Sequence, residues 1–195
     1  MGTFIVFEGG EGSGKSTQAR LLHRSLAKQG YPGLLTHEPG GTTFGERIRR
    51  ILKRGIHGVP SSWLFLFSAA RSQLLEEVVR PALLRGDVVV CDRYVPSTIA
   101  YQGYGHGLSL DMITLVTKAA TKGLCPDLVV LLDVPPEAGL KRKPKQGRDR
   151  FESEQLDFHE RVRQGYLQQA EGHQHRDEQQ LDHRSGVHAG MPRSV

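Results

Sequence analysis

Apolar residues gather into four short runs, Phe4 to Phe7, Leu34 to Thr36, Val88 to Cys91 and Leu128 to Leu132, each closed by glycine, proline or charged residues. Between them lie the stretches 15–30, 42–54, 61–85 and 109–121, whose apolar positions recur at helical intervals. A continuous apolar run has no polar face to offer water, so these runs predict strands of a parallel sheet covered on both sides. Strands alternating with helices place the chain in the α/β class. Ligands of such sheets sit at the carboxyl ends of the strands. The polar motifs fall there: EGGEGSGKS after the first run, HEPGGT after the second, DRY after the third and DVPPE after the fourth.

Beyond Ala170 the pattern stops. The segment EGHQHRDEQQLDHRSGVHAGMPRSV has no apolar run and no clear period, so residues 171–195 are expected to form a polar, disordered tail behind a domain of residues 1–170. His173 and His175 within it read as solvated side chains rather than a metal pair. A chain of 195 residues supports one sizeable core, which fits a single domain.

Composition narrows the function classes. No stretch approaches the ~20 apolar residues of a membrane span. The N-terminus lacks a basic region and a cleavage site, and Val6 stands where a myristoylation motif needs Ser or Thr, so the expected location is the cytoplasm. Cys91 and Cys125, the two cysteines, make neither a disulfide framework nor a metal cluster. The net charge of +5 includes one cluster, KRKPKQGRDR at 141–150, which a polyphosphate explains as well as a nucleic acid does. No nucleic-acid or membrane partner is expected.

The strongest chemical signal is GGEGSGKST. Gly9, four residues, then Gly14-Lys15-Ser16 stand where a strand hands over to a helix, the context of a phosphate-binding loop. Its glycines let backbone N–H groups turn toward an anion, and the helix N-terminus adds partial positive charge. Gly9, Gly10, Glu11, Gly12, Ser13, Gly14, Lys15, Ser16 and Thr17 are therefore the candidate residues for a nucleotide's phosphates, with Lys15 reaching the β- and γ-phosphates. The Ser16 hydroxyl would ligate Mg²⁺, and Asp92, at the end of the third run, is its candidate partner on the metal. Arg93 beside it offers a planar fork for a second anion; the alternative is a local ion pair at a strand end. In HEPGGTTFGERIRRIL a rigid turn precedes Arg47, Arg49 and Arg50, which cannot all share one helical face.

Taken together, FEGGEGSGKST, EPGGT, LFSAARSQL, DRYVPSTIAYQG, PDLVVLLDVPPEAGLKR and DRFE resemble the bacterial thymidylate kinases, P-loop nucleoside monophosphate kinases that phosphorylate dTMP with Mg·ATP. The resemblance runs from about residue 3 to about residue 169. It implies a three-layer α/β/α fold and a dTMP site of Glu11, Pro39, Arg49, Phe67, Arg71, Arg93, Thr98, Tyr101 and Gln102. In it Glu11 would meet the 3′-hydroxyl, Phe67 would stack on thymine and Arg71 would hydrogen-bond it. Arg49 and Arg93 would hold the acceptor phosphate, and Pro39 would follow a cis peptide bond. A short lid at about 135–150 would supply cations beside Lys15 and Arg93, from Arg142, Arg148 or Arg150. The family also implies a homodimer, for which WLFLFSAA is an apolar candidate surface.

Two features depart from the family. His37 stands where it usually has arginine, and the polar tail stands where it has a fifth strand and closing helix that help to seat adenine. Three competing readings follow: another nucleoside monophosphate kinase, a nucleotide-dependent switch, for which the guanine motif N-K-x-D is missing, and an inactive remnant.

Overall fold

The computed structural model describes residues 2–54, 58–142, 151 and 154–186, with side chains as far as Gly172. The four apolar runs form strands β1 (Thr3–Glu8), β2 (Gly33–His37), β3 (Val88–Asp92) and β4 (Leu128–Leu131) of one parallel sheet, in the order β2-β3-β1-β4. Val6 pairs with Cys91 on one side and with Val129 on the other, which fixes the register of the central strand. The helices are α1 (Lys15–Lys28), α2 (Thr43–Lys53), α3 (Pro60–Leu74), α4 (Arg80–Arg85), α5 (Val95–Thr98), α6 (Leu110–Thr121), α7 (Pro136–Lys141) and α8 (Leu156–Gly186).

Successive strand residues point to opposite faces, and the two faces find different helices. Phe4, Val6, Val89 and Cys91 pack against Leu74, Leu75, Val79 and Ala82 of the α3–α4 segment. Ile5, Phe7, Val88 and Val90 pack against Ala19, Leu22 and Leu26 of α1. The result is the expected three-layer arrangement. α8 adds a separate cluster, placing Phe158, Val162 and Tyr166 at intervals of four, on one helical face, against Ala100 and Tyr101. The edge strand β4 is less protected: Leu128 is half exposed, and no fifth strand follows it among the described residues.

Four details differ from the sequence reading. The helix expected over 61–85 is interrupted by a π-helical stretch, Leu75–Val79. Pro81 accounts for it, because its ring has no N–H for the carbonyl of Glu77 and crowds that carbonyl. Residues 95–105 form α5 and a second π-helical stretch, Ile99–Gly105, where no helix was expected. The backbone beyond Ala170 continues as α8 to Gly186 instead of leaving regular structure, since Gln, Glu and Arg sustain a helix without an apolar stripe. Finally, most of WLFLFSAA is not a free surface. Trp63, Leu64 and Ser68 are buried in the chain's own core, and Phe65 is its exposed aromatic.

Candidate active site

β1 ends at Glu8, and the chain turns at once into the phosphate loop, with Gly9, Gly12 and Gly14 all at positive φ. Gly12 admits no side chain: a Cβ there would lie 2.0 Å from the carbonyl oxygen of Gly139 in α7, so the loop and α7 meet backbone to backbone. Lys15, the first residue of α1, is buried and folds back over the loop, donating to the Gly10 carbonyl (2.6 Å) and to Ser13 Oγ (3.2 Å). Burial, reinforced by the nearby Arg93 charge, lowers its pKa to about 7. The next residue, Ser16, hydrogen-bonds through its hydroxyl to Asp92 Oδ2 at the end of β3. The two residues expected on the metal are thereby side by side.

Arg93 has φ 77°, a left-handed conformation that is uncommon for a side chain of this size. Its Nη2 donates to Glu11 Oε1 (2.7 Å) and Tyr101 Oη (3.3 Å), and its Nη1 to the Gly9 carbonyl, Ser97 Oγ and Tyr166 Oη (3.3, 3.1 and 3.1 Å). Tyr101 Oη also donates to Glu11 Oε1 at 2.7 Å, and the guanidinium lies over the Tyr101 ring. The alternative of an ion pair at the strand end therefore holds in part, with Glu11 rather than the adjacent Asp92.

A second arginine is more deeply placed. Arg71 of α3 donates through Nε to Glu38 Oε2 at 2.8 Å and through Nη2 to Thr98 Oγ1 at 2.9 Å, with all three residues buried. Burial raises the Glu38 pKa, and the Arg71 charge opposes that rise. Arg71 Nη1, Glu38 Oε1 and Gln102 Nε2 are buried without a partner among the described residues. Buried polar atoms are nearly always satisfied, so these unpaired atoms, with Thr36 Oγ1 on the same cleft, mark a candidate place for a polar ligand or water that supplies the missing bonds. Phe67 stands beside them, its ring centroid 5.8 Å from that of Phe151.

The turn between β2 and α2 contains a cis peptide bond at Glu38-Pro39, as expected. Arg49 reaches it through Nη1, which donates to the Pro39 carbonyl at 2.9 Å. Of the three arginines of α2, Arg49 is half-buried, while Arg47 and Arg50 are exposed. His37 also acquires a role here. Its Nε2 lies 3.0 Å from Glu46 Oε1, and that oxygen accepts the Gly41 N–H at 3.1 Å, so the pair braces the glycine turn.

These groups surround one cleft of about 770 Å³, within the range of small-molecule sites. It brings together Glu11, Gly12, Gly14, Lys15, Ser16, Thr17, Pro39, Arg49, Phe67, Arg71, Asp92, Arg93, Thr98, Tyr101, Gln102 and Arg142. Gly9, Gly10 and Ser13 are not on its wall, although each accepts a hydrogen bond from an arginine or lysine that is. Arg142, at the end of α7, donates to the Gly12 carbonyl at 3.3 Å; Arg148 and Arg150 lie outside the described residues. The sequence reading passed over Glu38, Glu8, Ser97, Tyr166 and Phe151. A buried acid beside Pro39 in HEPGGT could have pointed to Glu38, and the lone acid closing TFIVFE to Glu8. Tyr166 had no such signal, because nothing local ties α8 to β1.

The cleft is thus a cation-lined anion cradle continuous with a pocket of aromatic rings and unpaired hydrogen-bonding groups. The known proteins similar to this chain share one name. The family model described as thymidylate kinase matches residues 7–177. The thymidylate kinase of Dehalococcoides mccartyi (strain ATCC BAA-2266 / KCTC 15142 / 195) is 53% identical over 168 residues, covering 85% of this chain and 81% of that protein. That of Roseiflexus sp. (strain RS-1) is 47% identical over 181 residues, covering 85% and 80%. A crystal structure of thymidylate kinase from Ehrlichia chaffeensis superposes with a TM-score of 0.75 at 33% identity, covering 89% of this chain and 83% of that one.

Proposed function

The chain belongs to the thymidylate kinase family, and we propose that this cleft holds ATP on the phosphate loop and dTMP against α3, α5 and the turn at Pro39. Its activity is the phosphorylation of dTMP to dTDP with ATP as donor. The observation that carries the site assignment is the group of unpaired buried atoms, Arg71 Nη1, Glu38 Oε1 and Gln102 Nε2, on the wall that also bears Lys15. A pyrimidine with one N–H and two carbonyl oxygens can satisfy such donors and acceptors, and Phe67 offers a face for its ring.

Phosphoryl transfer needs positioning and charge neutralisation more than covalent chemistry. Lys15 and the loop N–H groups hold the donor phosphates. Arg49 and Arg93 hold the acceptor phosphate in line, and Glu11, already fixed by Arg93 and Tyr101, meets the 3′-hydroxyl. Tyr101 crowds the 2′ position, which favours deoxyribose. Arg142 is the lid cation whose Nη1 already touches the loop. Adjacent oxygens on Ser16 and Asp92 suit Mg²⁺, a hard cation that takes few protein ligands and completes its shell with water and phosphate. When bound there, the ion neutralises charge on the donor phosphates.

We further propose a homodimer built on α2, α3 and α6, which pack side by side and expose Phe44, Phe65 and Leu115. An isologous interface would cover these apolar side chains, and Phe65→Glu should yield monomers in light scattering. The activity assignment is tested by ADP release with dTMP, dUMP, dCMP, dGMP and AMP as acceptors. dTMP is expected to be used best, and equal rates with dCMP would overturn the thymine site.

A further inference from the structure

We propose that Glu8 is the positioning residue for Arg93: its buried carboxylate fixes the peptide after Arg93 and orients the two hydroxyls that hold the guanidinium over the phosphate loop. The inference rests on the assignment of Arg93 to the acceptor phosphate. Glu8 closes β1 and is only 1% exposed. The sheet needs no charge there, and a buried carboxylate is costly unless donors surround it. Four do. Oε1 accepts the N–H groups of Tyr94 (2.7 Å) and Ser97 (3.3 Å), and Oε2 accepts the hydroxyls of Ser97 (2.6 Å) and Tyr166 (3.3 Å).

Three of these bonds bear on Arg93. The Tyr94 N–H belongs to the peptide that follows Arg93, so the bond to Glu8 holds the chain in the left-handed turn at φ 77°. Ser97 gives its proton to Glu8, which leaves its lone pairs for Arg93 Nη1 at 3.1 Å. The Tyr166 proton lies toward Glu8 Oε2 or toward Ser97 Oγ (2.7 Å), in either case away from Arg93, and Nη1 donates to that oxygen at 3.1 Å. The Glu8 carboxylate thus turns both hydroxyl protons away from Nη1. Through Tyr166 it also ties α8 to the site. Glu8→Gln keeps the shape but puts an amide donor where Oε2 stood. The Ser97 proton then turns toward Tyr166 Oη or toward Arg93, and the orientation of the two hydroxyls around the guanidinium is no longer fixed.

The test is steady-state kinetics of the full chain with Glu8→Gln, Arg93→Lys and the double variant, alongside thermal melting. Loss of an oriented, charge-assisted contact is expected to lower kcat/KM for dTMP by about 10–100-fold in Glu8→Gln, with KM for ATP within about twofold of the parent. In the Arg93→Lys background Glu8→Gln should cost little more, because both changes remove the same placement. If the two losses multiply, or if Glu8→Gln keeps the parental kcat/KM for dTMP, the positioning role is wrong. An Arg93→Lys variant with unchanged dTMP kinetics would instead remove the Arg93 assignment, and this inference with it. Should Glu8→Gln not fold, Tyr166→Phe and Ser97→Ala each remove one oriented hydroxyl from the periphery of the network. Both should lower kcat/KM for dTMP while sparing KM for ATP, and unchanged dTMP kinetics in both would overturn the proposal.

Discussion

The half of the cleft assigned to ATP and the half assigned to dTMP are built by different means. The donor half is drawn from one consecutive stretch, Gly9 to Thr17, and the groups proposed to bind phosphate there are backbone N–H groups and one lysine folded back on its own loop. The acceptor half is a convergence: Glu38 follows β2, Arg71 comes from α3, Thr98 from α5 and Gln102 from the π-helical stretch. A contiguous site can form wherever its strand and helix form, whereas a convergent one exists only once the whole sheet and its covering helices are in place. The two halves therefore store their precision differently. Changes in the donor half should alter turnover with little effect on folding, and changes in the acceptor half should alter both.

The sharpest test of that contrast is Lys15→Ala, which removes the side chain proposed to hold the donor phosphates. It should cost about 3–4 kcal/mol of transition-state stabilisation, read as a loss of kcat, while the melting temperature stays near the parent's. A large drop in melting temperature would break the comparison, since the donor half would then be part of the folding core. Arg71→Ala comes next. It leaves Glu38 buried without its cation, so we expect about 3 kcal/mol of lost stability in urea unfolding together with loss of preference for dTMP over dCMP. Unchanged stability would mean that the acceptor half is as local as the donor half.

Gly139→Ala probes the place where α7 is pressed against the donor loop. A Cβ would lie 2.1 Å from the Glu11 carbonyl oxygen, so the helix must shift, at a cost of about 2 kcal/mol in stability, and the ATP KM should rise more than that for dTMP. An equal rise in both would place α7 between the two halves. The smallest expected effect belongs to Glu46→Ala, which removes the acceptor shared by His37 and the Gly41 N–H. About 1 kcal/mol of stability is at stake, with a modest rise in the dTMP KM and none in that for ATP.

The same division decides what could be read from the chain. The four strands, the phosphate loop and the juxtaposition of Ser16 with Asp92 follow from local pattern, because unbroken apolar runs must be covered on both faces and motifs at their carboxyl ends must share one edge of the sheet. Among Arg47, Arg49 and Arg50, helical geometry alone required that some face away, and Arg49 proved to be the one on the cleft. The tail was harder to read. Its lack of apolar residues argued against a packed element and said nothing against a helix, since backbone hydrogen bonds in a helix are satisfied within the segment itself.

By itself, then, the sequence determined the α/β class, the sheet covered on both faces and the donor loop, each of which rests on interactions between residues close along the chain or on periodic burial, while the family rested on the resemblance of its motifs. Only the tertiary structure decided that Glu38 would pair with Arg71, that Glu8 would gather Tyr94, Ser97 and Tyr166, and that Trp63 and Leu64 would face inward. Those partners lie 33 to 158 residues apart, as in Arg71 with Glu38 and Tyr166 with Glu8. Local propensity carries no information across such separations. A buried charge declares its need for a partner in the sequence, and the packing of sheet and helices chooses which one.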